Sequence, residues 1–197
     1  MKKLIVSTLV LGAMVAATAT SALAADTSKL AGFSVGTSAE FSSGSSSATD
    51  GTSDTGKTTG VGLQARYDWA VAPNFAVGLG ASYSSGNHQT GTYASGNAAS
   101  VNNRYSLDVM PTLALPNTFQ VFGKVSSIYG SAAADDGVNT ANVQGVGYGV
   151  GVRQMLDKNV YWQAGYDVNK FNDVTFATGT TSGLKENVFS LGVGYKF

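Results

Sequence analysis

The sequence predicts an all-β fold: a closed, antiparallel, up-and-down barrel of eight strands that crosses a membrane. Three observations carry that expectation. Bulky apolar residues recur at every second position in segment after segment, the period of strands with two unlike faces. Tight turns and long polar connections alternate along the chain, the asymmetry of a barrel seated in a membrane with its chain ends on the short-turn side. Past residue 24 no apolar run is long enough to span hydrocarbon as a helix, so a membrane-spanning structure has to be built from strands.

The chain opens with Lys2 and Lys3, an apolar run "LIVSTLVLGAMVAA" and a small-residue exit ending in Ala22-x-Ala24. That is the pattern of a secretory signal peptide over residues 1–24, with one barrel domain over 25–197. The strands are expected at about 30–41, 58–69, 75–85, 100–115, 118–131, 141–156, 160–171 and 185–197. Three connections, "AVAPN", "LPNT" and "DKN", carry Pro, Asn and Asp for tight turns. The other four, "SSGSSSATDGTSDTGK", "GNHQTGTYASGNAA", "AAADDGVNT" and "NDVTFATGTTSG", are long and polar. They read as loops.

The two faces of each strand identify the surrounding solvent. In "GVGYGVGVRQM" one face is Val146, Tyr148, Val150 and Val152, and the other is Gly145, Gly147, Gly149, Gly151 and Arg153. A face of alternate glycines is too small to coat a water-exposed surface, and it weakens a strand unless something needs the space. Pointing inward, it leaves room for large side chains from neighbouring strands. Aromatic residues gather near strand ends. Trp69, Phe75, Phe119, Trp162 and Phe197 stand beside the short turns, and Phe41, Tyr83, Tyr105, Tyr129 and Phe189 nearer the long loops. Two such belts suit the two membrane–water interfaces.

Composition excludes other classes. Without residues 1–24 the chain carries ten basic and twelve acidic side chains, a formal charge of −2, with no basic excess to hold nucleic acid. It has no cysteine, so no disulfide framework supports it. "GVGLQA" lacks the strand-to-helix context of a dinucleotide fingerprint, and Gly56-Lys57-Thr58 lacks the first P-loop glycine at the right spacing. Asp50, Asp54, Asp135 and Asp136 have no EF-hand spacing. No metal or cofactor is expected.

The stretches "YDWAVAPNFAVGLGASY", "GYGVGVRQMLDKNVYWQAGYDVNKF" and "ENVFSLGVGYKF" resemble the small eight-stranded outer-membrane proteins of the outer membrane protein beta-barrel domain, or porin-family, group. The resemblance runs over 25–197. It implies an outer-membrane location in a Gram-negative cell, with outer-membrane lipid and the assembly machinery as partners; the sequence does not fix the oligomeric state, and a monomer is the expectation. It also implies that the terminal stripe Phe189, Leu191, Val193, Tyr195 and Phe197 serves as an insertion signal.

Strand parity directs Glu40, Arg66, Asp68, Arg104, Asp108, Lys124, Arg153, Asp167 and Lys196 into the lumen. Charges of both signs in a low dielectric have to pair. Counting outward from the turns sets Asp108 opposite Lys124, Arg66 opposite Gly78 and Asp167 opposite Gly149. The network is either the lining of a pore or a plug, and a barrel of eight strands is just wide enough to be filled by its own side chains. The one histidine, His88, lies in a serine-rich stretch near Ser84 and Ser85. A Ser–His–acid set catalyses only if its geometry converges, and a solvated loop histidine is the expectation. The function expected is therefore a porin-like or structural envelope protein rather than an enzyme. The alternative is a surface protein acting through its long loops, where only Tyr93, Val138 and Phe176 stand out as contact residues. A lipid-modifying enzyme is a distant third.

Overall fold

The computed structural model describes residues 30–48, 53–92, 98–116, 118–133, 140–175 and 181–197. The expected signal peptide, and with it the boundary at residue 24, lies outside them, as do Asp50, Tyr93, Asp135, Asp136, Val138 and Phe176. Eight long strands form the wall: β1 (Gly32–Ala48), β2 (Ser53–Ala72), β3 (Phe75–Ser85), β5 (Ala98–Ala114), β6 (Phe119–Ala133), β7 (Thr140–Met155), β8 (Val160–Phe171) and β10 (Thr181–Lys196). Two short strands, β4 (His88–Thr92) and β9 (Val174–Thr175), pair with β5 and β10. The wall runs β1-β2-β3-β5-β6-β7-β8-β10, every neighbour antiparallel, and β10 returns to β1. The sheet is a closed eight-stranded barrel.

Closure explains why the chain can end on an apolar stripe. Register runs from Ser34↔Lys196 to Ala48↔Ser182, and the amide of Phe197 donates to Phe33 O at 2.8 Å. The Phe197 ring, 69% exposed, stands 5.8 Å from that of Phe33 and 5.0 Å from that of Tyr195. An end held in a ladder on one side and by ring contacts on the other has no reason to fray.

Between its two aromatic belts the outer wall is mainly apolar. Leu63, Leu107, Val150, Leu191 and Val193 are all exposed on it. The aromatic belts form as pairs across or along strands: Tyr67–Trp69 and Phe119–Trp162 towards the short turns, Phe41–Phe189 and Tyr83–Tyr105 towards the long connections. Inward, small residues face large ones. A Cβ on Gly194 would collide with the Tyr161 ring, one on Gly151 with Phe122 and one on Gly149 with Asp167. The glycine faces are therefore packing space for the lumen, as their alternation predicts.

The structure corrects several expectations. β1 and β2 run far past 41 and 58 into the Ser/Thr-rich stretch, with the ladder intact to Ser47↔Ser53. Backbone hydrogen bonds, not side-chain hydrophobicity, carry a hairpin beyond the membrane, so its polar composition conceals it. The stretch expected as a second long loop contains β4. Two register counts are also off by two. Arg66 faces Gly80, and Asp68 faces Gly78, because β2 runs on to Ala72 and the hairpin closes at Ala72↔Phe75, with a one-residue bulge between Ala70 and Ala72 taking back one step. Asp108 faces Ser126 rather than Lys124. The turn behind that strand is closed by the Leu115 amide on Phe119 O at 2.7 Å, with Thr118 at φ 64°. This is the three-residue hairpin that ends in a left-handed residue, one residue longer than a tight two-residue turn.

Candidate functional site

All nine charges expected in the lumen point into it, and Glu186 and His88 join them. Their arrangement falls into three levels.

At the short-turn end, Arg66 Nε lies 3.0 Å from Asp68 Oδ1, and Arg153 Nη1 lies 3.8 Å from Asp68 Oδ2. Arg153 also donates to Gln163 Oε1 at 2.9 Å and stacks 4.1 Å above the Tyr161 ring, which is fully buried. A guanidinium sandwiched between a carboxylate and an aromatic face keeps its charge with little water. Lys196 Nζ donates to Leu30 O at 2.7 Å, so the residues just before β1 lie across this end. Wall residues and Leu30 thus meet across this end.

In the middle, Lys124, Gly149 and Asp167 share one row across β6, β7 and β8. The glycine between them lets Lys124 Nζ reach Asp167 Oδ2 at 2.7 Å. Asp108, expected to pair with Lys124, instead accepts from Ser82 at 3.0 Å and Ser106 at 2.8 Å. The row geometry selects Asp167 because the hairpin register moves Lys124 off Asp108. Two cavities, of about 50 and 40 Å³, lie at this level and share Glu40, Ser82, Lys124 and Asp167 in their walls. Each has room for one or a few waters among polar partners.

At the long-connection end, β4 lies over the inner face of β1 and β2. A Cβ on Gly44 would collide with Thr90, and one on Gly56 with the backbone of Gln89. His88 and Thr90 are fully buried as a result. The expected solvated loop histidine is instead a buried anchor. Its Nε2 is 2.8 Å from Ser84 Oγ, and its Nδ1 is 3.3 Å from Ser42 Oγ and 2.9 Å from Glu186 Oε1. Arg104 pairs with Glu186, with Glu40 at 3.0 Å and with Ser84 Oγ at 3.2 Å. Asn169 donates to Glu186 Oε2 at 3.1 Å. Above this layer Val101, Ile128, Ala132, Val143, Phe171 and Leu184 form an apolar cluster inside the barrel. Val101 and Arg104 both reach the interior because β5 bulges between Asn102 and Tyr105, where Asn103 adopts φ 48°. An extra residue there reverses the inward–outward parity, and asparagine tolerates the left-handed backbone.

Ser84, His88 and Glu186 have the residue types of a hydrolytic triad, but the hydrogen bonds are arranged differently. Ser84 donates its one proton to Glu40. Glu186 Oε1 makes no aligned hydrogen bond, despite its 2.9 Å approach to Nδ1. The serine is thus not presented to the imidazole as a nucleophile. The set behaves as a latch that holds β4 in the barrel mouth.

Parity contained the signal for the missed acid. Counting back from inward-facing Lys196 in steps of two reaches Glu186. With it, the described lumen holds Glu40, Asp68, Asp108, Asp167 and Glu186 against Arg66, Arg104, Lys124, Arg153 and Lys196, five charges of each sign. No sequence pattern placed His88 inside, because β4 departs from the wall.

A closed barrel with an apolar outer wall, two aromatic belts and a charged, glycine-faced interior is the architecture of a membrane-spanning β-barrel. Residues 10–197 match the outer membrane protein beta-barrel domain, and the chain belongs to that family. An outer-membrane location follows from the family. Solved structures with the same fold include Neisserial surface protein A, at 16% identity and TM-score 0.52, covering 84% of this chain and 97% of that one. Ail, the attachment invasion locus protein of Yersinia pestis, solved with the heparin analogue sucrose octasulfate, is 16% identical at TM-score 0.51, with coverages of 84% and 99%. OprG from Pseudomonas aeruginosa is 17% identical at TM-score 0.50, with coverages of 85% and 97%. No curated protein matches the chain.

Proposed function

We propose that this protein is a sealed structural barrel of the Gram-negative outer membrane rather than an open porin or an enzyme. The filled lumen carries this reading. Five charges of each sign, most of them ion-paired, an inserted β4 and an inner apolar cluster fill the described lumen around cavities of about 50 and 40 Å³. Residues 1–24 act as a cleaved signal peptide, and Phe189, Leu191, Val193, Tyr195 and Phe197 form both a lipid-facing stripe and the signal read by the assembly machinery. The barrel works as a monomer with its long connections outside. A cysteine at Ser46 then labels in intact cells, and one at Asp157 does not. Refolded mature protein in planar bilayers is expected to show no single-channel steps. Regular conductance steps in wild type would overturn the sealed reading.

A second reading, surface contact through the extended hairpins, has one observation in its favour. The β1–β2 ladder continues for six residue pairs past Phe41, from Ser42↔Thr58 to Ser47↔Ser53. Ail, whose fold this chain shares, is an attachment protein by name. Shortening the β1–β2 hairpin to Phe41 and Thr59 would abolish cell or matrix adhesion on this reading and leave it unchanged on the first.

A further inference from the structure

The outer wall carries charge at one place. Among the strand residues whose side chains are described, the acids Glu40, Asp68, Asp108, Asp167 and Glu186 all point into the lumen, and the charged side chains on the outward faces are Lys57, Lys170 and Lys185. All three are exposed, and all stand on the β8–β10–β1–β2 side, beyond the aromatic belt at the long-connection end. Lys185 and Lys170 are direct cross-strand partners. Directly opposed like charges, with Cβ atoms about 5 Å apart, destabilise a sheet. Among the described residues neither lysine has an ion-pair partner. Asp173 follows Lys170 past the end of β8 and makes no ion pair with it.

Their height matters as much as their sign. Lys185 lies four residues beyond Phe189, and Lys170 four beyond Tyr166, where Phe189 and Tyr166 are themselves paired. At strand rise and barrel tilt, four residues place the ammonium groups about 10 Å above the belt. Belt rings sit at the apolar–headgroup boundary, so the lysines stand at the level of headgroup phosphates. Lys57 lies two strands from Lys185 and three from Lys170, in the row that runs through Ser43 to Asn187, two residues short of Lys185. The separation from Lys185, about 10 Å across the sheet, is within reach of flexible lysine stems. We propose that Lys170 and Lys185, with Lys57 as a third ligand, form a site for the phosphate of a phosphorylated glycolipid in the outer leaflet. A shared phosphate turns an opposed like-charge pair into two charge-assisted hydrogen bonds. The site rests on the long connections facing outward, as proposed above.

The test uses the full barrel in phosphatidylcholine nanodiscs, which present lipid on both faces, so binding does not depend on cellular orientation. Titration with diphosphoryl lipid A and with its dephosphorylated form is followed by native mass spectrometry. Wild type is expected to retain the diphosphoryl form about tenfold more tightly than Lys170→Gln/Lys185→Gln. The dephosphorylated lipid is expected to distinguish wild type from the double variant by less than about twofold. Lys158→Gln, at the opposite end, keeps wild-type affinity, and Lys57→Gln loses an intermediate amount. Equal affinity of wild type and the double variant for diphosphoryl lipid A would overturn the site. So would an equal loss for the dephosphorylated form, because sugar or acyl packing would then account for retention. Competition by millimolar inorganic phosphate that fully displaces the lipid would reduce the site to one for free anions and reject the glycolipid. If binding behaves as expected while Ser46 fails to label in cells, the orientation is wrong and the phosphate chemistry stands.

Discussion

The charged networks at the two ends of the lumen are built by different means. At the short-turn end, Asp68 sits between Arg66 and Arg153, and Arg153 rests on Tyr161, all carried by strands of the wall. At the other end, Glu186, Glu40 and Arg104 also come from the wall, but the group they hold, His88, belongs to β4, which is outside it. The first network cannot shift without deforming the barrel. The other is a latch on a separate segment. The difference follows from what each network contacts: ladder-held side chains below, a folded-back strand above.

The largest expected effect lies at the rigid end. Asp68→Ala leaves Arg66 and Arg153 buried without their shared carboxylate, which costs about 3–5 kcal/mol. Reversible urea unfolding in detergent or bilayer, followed by gel mobility of the folded barrel, measures it. A loss below about 1 kcal/mol would mean that water reaches this end freely, and the contrast between the ends would disappear.

Next comes the latch. His88→Ala removes contacts with Ser84, Ser42 and Glu186 and is expected to cost about 1–3 kcal/mol. Its distinctive readout is local. Cleavage or hydrogen exchange in residues 86–92 should rise strongly while the wall strands keep their protection. Equal loss of protection in β7 and β8 would show that the two ends unfold as one unit.

The middle pair sharpens the comparison with a smaller effect. Lys124→Ala and Asp167→Ala are expected to be coupled by about 1 kcal/mol or more in a double-mutant cycle. Asp108→Ala and Lys124→Ala should be nearly additive, because Asp108 is held by serines instead. The reverse pattern would restore the pairing counted from the turn and reject the three-residue hairpin. Smallest in stability is deletion of Phe197, which removes one amide bond to Phe33 and two ring contacts. Secretion should continue while assembly into the outer membrane slows, measured by pulse-chase appearance of the heat-modifiable form. Unchanged assembly kinetics would remove the insertion role of the terminal stripe.

The wall was legible in the sequence because each strand repeats one physical decision at every second residue. The alternation of Val146, Tyr148 and Val150 against Gly145, Gly147 and Gly149 states the solvent outside and the space inside. The same parity runs through the nine charges that point inward and, continued back from Lys196, reaches Glu186. What failed depended on one-residue events that composition does not mark. The left-handed Thr118 shifted a register, the closure of the β2–β3 hairpin at Ala72↔Phe75 another, and the bulge at Asn103 reversed parity in β5. Charge partners follow register, so the sequence determined which groups are inside, whereas the tertiary structure decided that Lys124 meets Asp167 across Gly149. His88 shows the same limit more strongly. Its neighbours in sequence are polar and suit water, and only the close approach of β4 to Gly44 and Gly56, glycines more than thirty residues away, puts it in the dark. Local pattern sets the face a side chain takes on a strand, and long-range closure sets what it meets there.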